Sequence, residues 1–267
     1  MAVPSSDAER RGLGLVLSSG AARGAVHVGV LQVLEAAGIE VPVVAGASAG
    51  ALVGAGWAAG FCADEIAAWV SRASWADFGS TRPNRRLGLL DTTVLRAGLD
   101  EVLAGRLIET FPRRFGAVAT DVLTRAPVLL DHGSATDAVC ATIAVPGVFP
   151  PVRIEGRMLL DGGVASPTPV WAARRLGADV TLAVRLRPEP VSRSRPWRSR
   201  VMSPIPDDGP ADLELLIDAR DYSAWSARDV SQLIDLGRRT TEQALGQIDA
   251  LVAGHETSRL RPALRGL

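Results

Sequence analysis

The stretch that most constrains this chain is Val41 to Gly60. An apolar run, Val43-Val44-Ala45, leads into Gly46-Ala47-Ser48-Ala49-Gly50, and Ala51-Leu52-Val53-Gly54-Ala55-Gly56-Trp57-Ala58-Ala59 follows. β-Branched residues, then glycines, then a helix-compatible run read as strand, sharp turn and helix. Glycines on both sides of Ser48 suit a turn too tight for side chains. A serine on such a tip has its hydroxyl held out and a helix N-terminus behind it, so positive potential lies where an oxyanion would develop. Ser48 is therefore the candidate nucleophile. Residues 41 to 63 also carry no charge, a length that reaches across a bilayer. They are mostly Ala and Gly with Pro42 near the start, which suits a helix packed tightly in a protein core better than a lone span.

The neighbouring segments extend the pattern. Leu13 to Leu17 reads as a buried strand that enters the small-residue loop Ser18-Ser19-Gly20-Ala21-Ala22-Arg23-Gly24, and Val26, Val30, Val33, Leu34 and Ala37 then recur at helical spacing up to Gly38. If the first two strands are parallel neighbours, the loop after the first and the tip after the second share one sheet edge, and a cradle of backbone amides faces Ser48. A strand, a Gly-rich loop and a helix also describe a dinucleotide-binding turn. Here Ser19, Ala21 and Gly24 stand at the three marked positions of G-x-G-x-x-G, and no acid ends the second strand, which argues against it.

Farther along, residues 62 to 74 and 92 to 104 read as helices, the second capped by Asp91 or Thr92. Phe115 to Ala119 and Pro127 to Leu130 read as strands around the turn Asp121 to Ala126, followed by a helix from Ala135 to Ala144. Val152 to Ile154 and Met158 to Leu160 pair across Glu155-Gly156-Arg157, and the second delivers Asp161-Gly162-Gly163, an acid at a strand end beside two glycines that admit close backbone approach. A helix Pro169 to Leu176 and a strand Val180 to Leu186 complete the α/β part. The expected organisation is a mobile leader over 1–11, an α/β domain over 12–186, a Pro/Arg/Ser-rich loop over 187–211, and a helical tail over 212–267 that packs on the core or acts as a lid, with Leu213, Leu216 and Ile217 in its first segment.

Composition narrows the function classes. The 267 residues are 47% apolar with formal net charge zero, and all 29 basic residues are Arg. Without a positive balance there is no general case for nucleic-acid binding. Two cysteines, Cys62 and Cys140, give neither a disulfide framework nor metal-ligand spacing. Arg10-Arg11 with the short run Gly12 to Leu17 does not make an export signal, because Arg23 interrupts the continuation. The expected setting is cytoplasmic, with no signal peptide or transmembrane segment and no lipidation motif.

Four segments in order, the Ser19 to Gly24 loop with its helix, Gly46-Ala47-Ser48-Ala49-Gly50, ATIAVPGVFPPV at 141 to 152, and Asp161-Gly162-Gly163-Val164, resemble the patatin-like phospholipase family in its small bacterial form. The resemblance spans about residues 12 to 186. It implies a three-layer α/β/α fold with a mainly parallel sheet, and hydrolysis of lipid acyl esters by a Ser-Asp dyad with no cofactor, metal or histidine. Carried over by position, Ser48 is the nucleophile and Asp161 the base. Amides of Gly20, Ala21 and Ala22 form the oxyanion hole, Arg23 matches the basic residue of the Gly-rich motif, and Gly24, Gly46, Gly50, Gly162 and Gly163 support these motifs. The implied partners are a lipid or acyl-ester substrate and, through it, peripheral contact with a membrane surface. Oligomeric state stays open.

The chain departs from the family in the loop, where Ser19 and Ala21 flank Gly20 in place of consecutive glycines. Two other functions remain in view. One is a Ser-Asp-His hydrolase through His255, which the order Ser48, Asp161, His255 permits, although at most one strand precedes this elbow and His255 reads as exposed. The other is a non-catalytic lipid-binding member of the same fold. His27 and His132 read as structural or exposed. Trp57, Trp69, Trp75 and Val145 to Pro151 are candidate pocket walls.

Overall fold

A computed structural model of the chain describes residues 12–72, 93–187, 209–226 and 228–263. The expected leader, most of the Pro/Arg/Ser-rich loop, the cap at Asp91 or Thr92 and Trp75 lie outside the described residues. The chain begins with β1 (Leu13–Leu17), α1 (Val26–Ala36), β2 (Val43–Ala47), α2 (Ala49–Ala58) and α3 (Ala63–Arg72). After α4 (Thr93–Leu103) come β3 (Arg114–Asp121), β4 (Pro127–Leu130), α5 (Ala135–Thr142), β5 (Val152–Ile154) and β6 (Arg157–Leu160). The remainder is α6 (Val170–Arg175), β7 (Val180–Leu186), β8 (Leu213–Ile217) and α7 (Val230–Ala263).

The strands form one sheet in the order β5-β6-β3-β2-β1-β7-β8, with β4 also on β3. The run β3-β2-β1-β7-β8 is parallel, and β4, β5 and β6 are antiparallel additions at one side. Strands in such a sheet are buried on both faces, so side chains alternate between two cores. Leu15, Leu17, Val44, Phe115, Leu182 and Val184 enter the larger core, whereas Val16, Val43, Ala45, Val118 and Ala183 enter a smaller one with Trp171 of α6. The larger face is covered by α1, α2 and α7, with α1 and α7 in the most extensive helix contact. Two glycines allow that contact: a Cβ on Gly29 would stand 2.0 Å from the Ile234 carbonyl oxygen, and one on Gly237 would stand 2.0 Å from the Val26 carbonyl oxygen.

One segment differs from the sequence reading. Leu213 to Ile217, expected in a helical tail, is the edge strand β8, parallel to β7 from Leu182↔Leu213 to Leu186↔Ile217. Leu215 and Ile217 point inward while Glu214 and Leu216 are exposed, a period of two that a five-residue run cannot announce unambiguously beside the helical spacing of Leu213, Leu216 and Ile217. The open edge of β7 decides it, by giving the run backbone partners. No helix among the described residues is long and apolar enough to cross a membrane.

The sheet also creates a junction. Thr120 pairs with Pro127 of β4 and with Leu160 of β6 at once, so those strands lie on opposite sides of β3. Amides alternate in direction along a strand; Arg114 N donates to Pro42 O on the β2 side and Val122 N donates to Met158 O of β6. Both residues are even-numbered, so β2 and β6 occupy the same side of β3 and run toward each other. β2 ends with Ala47 opposite Val118, and β6 ends with Leu160 opposite Thr120. The next residues, Ser48 and Asp161, therefore meet beside Ala119.

Candidate active site

Ser48 is the N-cap of α2 and has φ 52° and ψ −126°, a positive φ that costs a non-glycine residue about 1–3 kcal/mol. Close approach enforces it. A Cβ on Gly46 would stand 2.6 Å from Ala51 N, and one on Gly50 would stand 2.2 Å from Leu17 O, so the elbow is pressed against its own helix and against the end of β1. The glycines are needed for contact distance rather than for dihedral freedom, and the strain falls on the serine itself.

Across the junction, Ser48 Oγ donates to Asp161 Oδ2 at 2.6 Å. Each partner is 6% exposed. Gly163 N donates to Asp161 Oδ1 at 2.7 Å, which orients the carboxylate, and the Thr120 hydroxyl donates to the Asp161 carbonyl at 2.8 Å. Burial pushes the Asp161 carboxyl up to about 6, although the hydrogen bonds from Ser48 and Gly163 pull the other way. Desolvation of the charged form is the larger effect.

A residue that the sequence reading passed over fixes the serine. Thr142, at the end of α5 and fully buried, accepts from Ser48 N at 2.9 Å and donates its hydroxyl proton to Val118 O. Two residues on, Ala144 O accepts from Asp161 N at 3.0 Å. The segment Thr142 to Ala144 thus holds both halves of the pair. Its only sequence signal is membership of ATIAVPGVFPPV.

In the first loop, Ala21 has φ 50°, so the position where Gly was missed does take up a left-handed conformation with a Cβ in place. Of the three candidate amides, that of Ala22 is engaged, donating to Ala224 O at 3.1 Å. Arg23 turns to the same C-terminal segment, its Nε donating to Tyr222 O at 2.7 Å and its Nη2 to Arg220 O at 3.4 Å. Gly24 packs on the elbow, where a Cβ would meet that of Ala49 at 2.4 Å. Below the loop His27, fully buried and kept neutral with its pKa lowered to about 4 by burial, donates from Nε2 to Ser18 O at 2.8 Å; a carbonyl can only accept, which settles the tautomer.

Ser48 sits in the wall of a small, mostly apolar cavity of about 120 Å³. Its lining includes Ala21, Leu52, Trp69, Phe149 and Trp225, and among the described residues the Ser48 hydroxyl is the one aliphatic hydroxyl in it. Of the expected walls, Trp69, Val145 and Phe149 line it, whereas Trp57 is core, with the Arg113 guanidinium 4.4 Å over its ring. Among the described residues no three His, Cys, Asp or Glu side chains gather in a set able to hold a metal ion.

The histidines lie elsewhere. His255, expected to be exposed, is mostly covered, with Nε2 3.3 Å from Asp179 Oδ2; the length of α7 carries it back onto the loop before β7, a placement that its polar flanks hide. His132 is exposed beside Asp131.

Comparison with known proteins identifies the family. The patatin-like phospholipase family matches over residues 15–174. An uncharacterised NTE family protein of Mycobacterium tuberculosis is 37% identical over 182 residues, 64% of this chain and 48% of the relative. The lysophospholipase nte1 of Aspergillus fumigatus is 34% identical over 181 residues, 65% of this chain and 12% of the relative. The chain thus spans about half the length of the mycobacterial relative and a small part of the fungal one. Among solved structures, VipD from Legionella pneumophila shares the fold, with a TM-score of 0.55 at 14% identity over 90% of this chain and 67% of that one. The match over more than half the chain, on a sheet that brings an elbow serine to a buried aspartate, places this chain in the patatin-like phospholipase family.

Proposed function

We propose that the chain hydrolyses acyl esters of lipids through a Ser48-Asp161 dyad and an acyl-enzyme on Ser48. The observation that carries this reading is the 2.6 Å hydrogen bond from Ser48 Oγ to a desolvated carboxylate in the wall of an apolar cavity. A carboxylate of ordinary pKa is a weak base at neutral pH. One raised to about 6 binds the proton of Ser48 more readily and is still ionised at neutral pH, the state a general base requires.

In the first half-reaction Ser48 Oγ attacks the acyl carbonyl while its proton moves to Asp161 Oδ2. The tetrahedral oxyanion faces the amides of Gly20 and Ala21, which remain from the three candidates once Ala22 is bonded to Ala224, and the N-terminus of α2 adds positive potential. Collapse expels the alcohol, which takes the proton from Asp161, and leaves the acyl group on Ser48. A water that gives its proton to Asp161 then attacks the acyl carbonyl, and collapse releases the fatty acid as Ser48 recovers its proton.

The apolar wall supports a substrate class. An apolar cavity lined by Leu52, Val53, Trp69 and Phe149 suits an acyl chain, and the fungal relative's name, lysophospholipase, is consistent with single-chain lipids as substrates. Release of fatty acid from lysophosphatidylcholine, set beside release from a diacyl phospholipid, tests this: turnover of neither, by protein that labels with a serine-directed probe, rules out the lipid assignment.

A further inference from the structure

Among the described residues, five large apolar side chains are notably exposed, and three of them, Val122 at 38%, Leu123 at 86% and Trp225 at 50%, flank the active site. β3 runs on from Val118, opposite the end of β2, to Asp121, so the turn that follows projects about 10 Å beyond the edge where Ser48 stands. On the other flank Trp225 lines the cavity itself, carried by the segment that Ala22 and Arg23 hold against the loop after β1. Along the sheet edge Ser48, after β2, lies between these two flanks.

The turn is built to present its apolar tip. Leu123 N and Thr124 N donate to Asp121 Oδ1 at 2.8 and 2.9 Å, Arg125 N donates to Asp121 O at 2.8 Å and Val122 N to Met158 O at 2.8 Å. Leu123 is thus held outward by a rigid backbone that loses little freedom on docking. Arg125, Arg153 and Arg157 are exposed on this turn and the adjoining β5–β6 hairpin, against Glu155 as the exposed acid of that hairpin; Asp121 is turned inward.

We propose that this rim, Val122 and Leu123 on one flank and Trp225 on the other, docks the chain on a lipid surface containing anionic headgroups. The proposal rests on the lipid acyl hydrolase reading. The occupant is a lipid surface because the cavity opening at this edge takes an apolar chain that does not enter water readily, because Trp belongs at an apolar–aqueous boundary, and because the arginines complement phosphate. Docking there lets an acyl chain pass from the lipid to Ser48 without crossing solvent.

The test is cosedimentation of the full chain carrying Ser48→Ala, which leaves lipid uncleaved, with phosphatidylcholine vesicles with and without phosphatidylglycerol. The parent binds the anionic vesicles, and adding Leu123→Asp lowers that binding by about tenfold or more, the loss expected from removing one buried leucine and adding a like charge. In the Ser48-containing protein, Leu123→Asp leaves hydrolysis of a monomeric short-chain ester unchanged and slows release of fatty acid from vesicles. Equal binding by parent and variant, or no binding of anionic vesicles by the parent, overturns the proposal. Ester turnover without vesicle binding sinks docking alone; Leu123-dependent binding without any turnover sinks the hydrolase reading and leaves docking standing.

Discussion

Ser48 and Asp161 follow two strands that run toward each other along one side of β3, and the hydroxyl of the first donates to the carboxylate of the second across 2.6 Å. Neither residue is positioned by its own strand alone. β3 sets the level at which they meet, beside Ala119, and Thr142 and Ala144 tie both to the end of α5.

Burial of Asp161 has two pH consequences with opposite meanings. Its folded value of about 6 lies above the ordinary 3.8, so the fold favours the protonated acid; that contribution is full below the ordinary value and is lost as pH rises through about 6. Asp161→Asn is therefore expected to unfold like wild type at low pH and to be more stable near neutrality, by up to about 3 kcal/mol. Denaturant titrations at both pH values check this. Activity of the wild type runs the other way, rising through about pH 6 as the base ionises, and a rate that is flat from pH 5 to 8 contradicts the assignment of Asp161 as base.

Thr142 holds the Ser48 amide and is not among the residues lining the cavity. Thr142→Val keeps the shape but leaves the Ser48 amide without its acceptor, a loss worth about 1–3 kcal/mol for a buried donor. The expected outcome is a kcat lower by roughly 10- to 100-fold with KM little changed, and recovery of most of the rate in Thr142→Ser, which keeps the hydroxyl. Loss in both variants alike points to packing instead.

The elements before residue 186 were legible because their signals are local. Alternating or continuous apolar runs mark β1, β3 and β7, and the glycine spacing around Ser48 announces an elbow. The meeting of Ser48 with Asp161, 113 residues away, was reached only through resemblance to a family, since nothing in either segment encodes the head-on approach of β2 and β6. Thr142 looks like any threonine at a helix end until the fold lays it beside Val118 O. Leu213 to Ile217 was misread because five residues fit two periods, and the deciding partner, the free edge of β7, is tertiary.

Ala21 tests how the proposed oxyanion loop tolerates its side chain. With φ 50°, its Cβ costs about 1–2 kcal/mol, less the entropy a glycine would lose on folding. Ala21→Gly is expected to raise stability by about 1 kcal/mol, and to keep or raise the rate of ester hydrolysis. A fall in stability shows that the loop is held by contacts of the Ala21 methyl rather than strained by it.

The central claim is tested most directly by p-nitrophenyl ester hydrolysis and fluorophosphonate labelling of wild type, Ser48→Ala, Asp161→Ala and His255→Ala. The dyad account predicts turnover and labelling of the wild type, loss of both in Ser48→Ala, loss of turnover in Asp161→Ala, and activity near wild type in His255→Ala, whose ring faces Asp179. A folded wild type that neither turns over nor labels contradicts the account and favours a lipid-binding protein; activity that survives Asp161→Ala and dies in His255→Ala contradicts it in favour of a triad.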